Sequence, residues 1–106
     1  MPMSKDFSAA NQFQEPFMHG SDGILHVVIR QTDPTLNATF TLQSITGRQD
    51  PSRPSDADPL WTKAKEYAVG SEGVSDSMRV GRGWYRIAIL TGDYVSGEAN
   101  GQLTTG

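Results

Sequence analysis

The sequence predicts an all-β protein, a single small antiparallel β-sandwich of Ig-like or jelly-roll-like type with six to eight strands. Three observations carry this. Apolar and polar residues alternate with a period of two in segment after segment, as in strands that cover a core on one side. Gly, Pro, Asn and Asp clusters punctuate those segments at short intervals. Helix-forming residues gather only at Trp61–Ala68, a run too short to define a helical layer. A chain of 106 residues is one domain.

Residues 1–10 read as an N-terminal arm, polar except for Met1, Pro2, Met3, Phe7 and two alanines, with little nearby sequence to bury Phe7. The sandwich then spans residues 11–106. Its first strand, Gln12–Met18, is weakly patterned and carries Phe13 and Phe17. In Ile24–Arg30, Leu25, Val27 and Ile29 face one way; in Ala38–Ile45, Ala38, Phe40 and Leu42 do. Trp61–Ala68 fits neither period cleanly and reads as a bulged strand in preference to a turn and a half of helix. Val74–Val80 is a second weak strand. Trp84–Leu90 sets Tyr85, Ile87 and Ile89 against Trp84, Arg86 and Ala88, and Gly97–Leu103 sets Ala99, Gly101 and Leu103 inward. Leu25, Val27, Ile29, Phe40, Leu42, Tyr85, Ile87, Ile89 and Leu103 are therefore the expected core. Gly47–Pro59, with three prolines, is a long surface loop, since proline is excluded from helix interiors and central strands.

Composition narrows the chemistry. Nine Lys+Arg against 12 Asp+Glu give a formal charge of −3, with no overall pull toward nucleic acid or an anionic membrane surface. Cysteine is absent, which removes disulfides, thiolate metal sites and thiol nucleophiles. Met1-Pro-Met-Ser-Lys-Asp6 lacks the apolar run of a signal peptide. No stretch approaches the roughly 20 apolar residues of a membrane-spanning helix.

His19 falls in a turn and His26 on the solvent side of a strand, and neither is followed by metal-ligand spacing. Asp50, Asp56 and Asp58 sit close together but without a calcium-loop pattern, so a solvated loop is expected. No serine lies in a Gly-x-Ser-x-Gly elbow. Arg79, Arg82 and Arg86 gather about a turn, where they solubilise a strand end or meet a partner carboxylate. Trp61 and Trp84 would suit carbohydrate if exposed and coplanar, and assembly if buried. No catalytic, cofactor-binding or metal residue is assigned, and the protein is not expected to be an enzyme. Phe7, Phe13, Phe17, Arg79 and Arg82 are the assembly-interface candidates.

Taken in order, Phe7-Ser-Ala-Ala-Asn-Gln12, Gly23-Ile-Leu-His-Val-Val-Ile29, Ala38-Thr-Phe-Thr-Leu-Gln-Ser44, Leu60-Trp-Thr-Lys63, Gly83-Trp-Tyr-Arg-Ile-Ala-Ile89 and Thr91-Gly-Asp-Tyr-Val-Ser-Gly97, with Leu103 near the end, form a recognisable layout. It resembles small tailed-bacteriophage virion proteins with an Ig-like or jelly-roll-like sandwich, and the resemblance covers nearly the whole chain. The Gly47–Pro59 loop departs from it, being longer and richer in proline than the expected hairpin. The resemblance implies a structural protein of the virion, made in the host cytoplasm and exposed on the particle. A capsid decoration or cement protein, bound in many copies to the major capsid protein and homo-oligomeric, is the first expectation. A neck, tail or fibre-base component and a carbohydrate-binding module are the alternatives.

Overall fold

The period-two alternation becomes ten strands in the computed structural model, which describes residues 3–20, 22–46, 52–70 and 72–105. They are β1 (Met3–Phe7), β2 (Gln12–Phe13), β3 (Phe17–His19), β4 (Gly23–Gln31) and β5 (Asn37–Thr46). β6 (Thr62–Val69), β7 (Val74–Val80), β8 (Gly83–Ile89), β9 (Tyr94–Ser96) and β10 (Ala99–Thr105) follow. Every pairing is antiparallel, and no helix occurs among the described residues.

The strands form two sheets. The first has the order β1-β10-β4-β7; the second runs β2-β8-β5-β6, with β3 also pairing β8 and β9 pairing β5. The chain changes sheet at most of its connections, and β5–β6 is the one long hairpin. The inward faces meet in a shared core. Leu25, Val27 and Ile29 of β4 and Leu103 of β10 are at most 1% exposed, as are Phe40 and Leu42 of β5 and Ile87 and Ile89 of β8. Tyr85 is 3% exposed, so all nine residues expected in the core are buried. Each large apolar side chain removed from water in this way contributes roughly 1.5–3 kcal/mol.

Four expectations need correction or refinement. The arm expected over residues 1–10 is, from Met3, an edge strand: Met3 pairs Leu103 and Phe7 pairs Ala99. Phe7 is 1% exposed and its ring meets that of Phe40 edge-on at 5.4 Å. The residues that bury it lie far along the chain. A Cβ on Gly101 would come within 3.0 Å of the Phe7 ring, so this glycine leaves the recess the ring fills. Second, Gln12–Met18 is two short strands, because the chain leaves the β8 ladder around Gln14–Pro16 and proline has no N–H to return. Third, Trp61–Ala68 is strand from Thr62 onward; Leu42 pairs Lys65 while Gln43 pairs Lys63, so Ala64 is the extra residue of a bulge. Fourth, the last strand begins at Ala99 rather than Gly97, which turns the chain instead. Gly97 has φ +87°, and a Cβ there would lie 2.4 Å from Leu36 Cα, so no other residue fits.

Candidate functional site

With the core between the sheets filled, any site must lie on an outer face or an edge. The outer face of the second sheet is the most constructed of these. Along β8, Trp84, Arg86 and Ala88 point away from the core, opposite Ile45, Gln43 and Thr41 of β5. Yet Arg86 is 1% exposed and Thr41 is fully buried, because a second layer lies over them. Phe13 supplies one side of that layer and the segment from Pro54 to Trp61 the other.

At its centre the Arg86 guanidinium lies between two rings, 4.3 Å from the centroid of Phe13 and 4.2 Å from that of Trp61. Arginine suits this role because its planar, weakly hydrated head stacks on aromatic faces while its N–H groups donate in plane. Arg86 Nε donates to Gln43 Oε1 at 2.8 Å, and its terminal nitrogens donate to the Asp56 carboxylate at 3.3 Å and the Asp56 carbonyl at 3.0 Å. Burial pushes the guanidinium below its usual range, and the Asp56 charge offsets part of that. The Asp56 side chain itself is 69% exposed, so the ion pair sits at the mouth of the stack. The loop is shaped to reach it: Trp61 Nε1 donates to the Ser55 carbonyl at 2.9 Å, and Asp58 Oδ1 accepts from Leu60 N at 2.9 Å. Thus the described part of the proline-rich loop is pinned to the sheet, while most of its residues stay exposed, as expected of a surface loop. Residues 47–51, Asp50 among them, lie outside the described residues.

The interface candidates divide accordingly. Phe7 and Phe17 are core residues, at 1% and 8% exposure, and Phe13 is half-buried against Arg86. Phe7 and Phe17 are spent inside the fold. Arg79 and Arg82 are exposed, at the end of β7 and in the turn to β8, and Arg86 is not with them. The histidine expectation is also corrected in part. His19 is buried, at 4% exposure, with its ring edge-on to Tyr85 and Nε2 3.4 Å from the Ile24 carbonyl. His26 stays half-exposed, its Nδ1 2.6 Å from Ser77 Oγ. Among the described residues no three His, Asp or Glu side chains gather as metal ligands.

A second polar contact ties the two sheets where they share no strand. Asp76 of β7 accepts from Lys65 Nζ and from the Tyr67 hydroxyl of β6, both at 2.8 Å. The Lys65 hydrogen bond, then that of Tyr67, holds the Asp76 carboxyl below its ordinary value. Burial, helped by Asp76, pushes the Tyr67 hydroxyl well up. The larger exposed apolar side chains are Met18, Leu60 and Val95, which are dispersed along the sequence.

The chain matches no protein-family model, no curated protein and no solved structure with which it was compared. Neither the Arg86 stack nor the buried His19 was legible in the sequence. The signal for the first was Arg86 itself, a charge alternating with core residues in an otherwise apolar strand.

Proposed function

We propose that the sandwich is a jelly roll and that the protein is a structural component of a tailed-bacteriophage virion, a decoration or cement protein carried in many copies on the capsid. The strand order is the observation that carries this reading. Counting β2 and β3 as one broken strand, and β9 with β8, leaves eight strands in two sheets of order 1-8-3-6 and 2-7-4-5. That interleaving is what two nested Greek keys produce, and jelly rolls of this kind recur in viral capsid and lectin domains. The step from fold to particle is an analogy, joined to the order of motifs that resembles phage virion proteins. An outer face sealed by its own loop also suits a building block better than a receptor for small molecules. The carbohydrate alternative is weakened by Trp61, one face of whose ring is given to Arg86.

Quantitative mass spectrometry of purified phage particles tests the proposal. Copies in the hundreds would support a capsid-bound protein, since head symmetry multiplies each site, whereas about a dozen would assign it to the neck, tail or fibre base. Absence from particles would overturn it.

A further inference from the structure

Strand β7 forms the outer edge of the first sheet, and among the described residues nothing pairs with its far side. An unpaired edge is a template for another strand, and folded proteins usually guard it. The other edges of this fold are guarded, or very short as in the three-residue β9. β1 is only five residues long, carries Lys5, and its Met3 carbonyl accepts from Gln14 Nε2. β6 has the Ala64 bulge and the flanking Lys63 and Lys65. The β2–β3 edge is interrupted at Pro16. β7 has none of these devices. Its seven residues hold one unbroken register against β4, without proline, lysine or bulge. The inward charge it does carry, Asp76, is already met by Lys65 and Tyr67.

The charges along this edge are ordered. Glu72 stands just before the strand, and Arg79 and Arg82 stand at its end and just beyond; all three are exposed and form no ion pair among the described residues. We propose that β7 is a homodimerisation edge, on which a second copy of this chain adds its own β7 antiparallel across a two-fold axis at Ser77. A two-fold perpendicular to the sheet keeps each face on its own side, so same-face residues oppose one another. Ser77 then faces Ser77, Val74 faces Val80 and Asp76 faces Met78. The acidic start of each strand meets the basic end of the other, with Glu72 placed opposite Arg82. Parallel addition would bring like charges together instead. The inference rests on the edge itself and is independent of the virion reading.

Two measurements on the purified full chain test it. Sedimentation equilibrium should show a concentration-dependent dimer that S77K weakens by at least tenfold, because two ammonium groups then oppose each other at the axis. E72R and R82E should each weaken it, and the double swap should restore it. Because the chain has no cysteine, S77C introduces a single thiol, which should oxidise to a covalent dimer much faster than V95C, on a surface away from the axis. A chain that is monomeric at all concentrations, or S77C that cross-links no faster than V95C, would overturn the proposal. A monomer abundant on particles would leave the virion reading standing; a dimer missing from particles would do the reverse.

Discussion

Gln14 completes the backbone pairing of Ile87 with its side chain as well as its main chain. Its N–H donates to the Ile87 carbonyl at 2.9 Å, and its Oε1 accepts from the Ile87 N–H at 3.1 Å. Its Nε2 then reaches the first sheet, donating to the Met3 carbonyl at 2.7 Å and more weakly toward that of Gly101 at 3.4 Å. The side chain is fully buried, so one amide stands in for a lost ladder bond and joins the two sheets. Q14A should cost about 2–4 kcal/mol, since it strands the Ile87 N–H and leaves a void. Q14E keeps the size but turns a carboxylate oxygen toward two carbonyls, and should cost at least as much at pH 7. Guanidinium melts of both variants check this; a loss below about 1 kcal/mol would show that the amide is not a tie.

Arg86 should be replaceable by no other cation. R86K keeps the charge but loses the planar stack and the donation to Gln43, and should cost about 1–3 kcal/mol. The loop it holds should loosen further than the fold does. Chymotryptic cleavage after Trp61 should accelerate in R86K, and the emission of the two-tryptophan chain should shift to the red. Equal cleavage rates in the variant and the parent would mean that the loop is held by other contacts.

The Asp76–Tyr67 contact gives stability an acid and an alkaline limb. Asp76 has its carboxyl held below the ordinary 3.8 by Lys65 and Tyr67, so its contribution is whole above that value and is lost as pH falls through the folded value. Tyr67 is shifted the opposite way, so its contribution is whole below the unfolded value of about 10 and is lost as pH rises through the folded one. Thermal melts from pH 2 to 11 should therefore flatten at the acid end in D76N and at the alkaline end in Y67F. Unchanged limbs in both variants would place the titration elsewhere.

Thr41 carries a buried hydroxyl that finds no hydrogen-bond partner among the described residues, on the outer face opposite Ala88. Valine has the same branched shape without the polar atom. T41V should raise the melting temperature, with a gain of up to about 1 kcal/mol, because the parent leaves that group desolvated and unpaired. A lower melting temperature would reveal a partner for the hydroxyl.

The sandwich was legible because its inward residues repeat at every second position, and that signal is local. Leu25-Val27-Ile29 and Tyr85-Ile87-Ile89 declare their faces without knowing what they face. Phe7 could not be placed the same way, since its recess exists only because Gly101, on the far end of the chain, lacks a side chain. The covered outer face was hidden for a related reason. Period two assigns Arg86 to solvent, and only the folded loop, bringing Trp61 and Asp56 back over the sheet, removes it. His19 likewise sits beside a turn in sequence yet under Tyr85 in space.

The place of β10 between β1 and β4 also orders events in time. Ala99–Thr105 follows the other nine described strands in chain order, yet it is inserted at the middle of its sheet, with Met3–Phe7 on one side and Leu25–Gln31 on the other. Until it arrives, β1 has no neighbour and Phe7 no recess. A ribosome-bound chain lacking these residues therefore holds its first strand open, and folding waits on contacts between opposite ends of the sequence. Such distant closure is slow compared with local pairing, and the first sheet should be the last part of this protein to become resistant to protease.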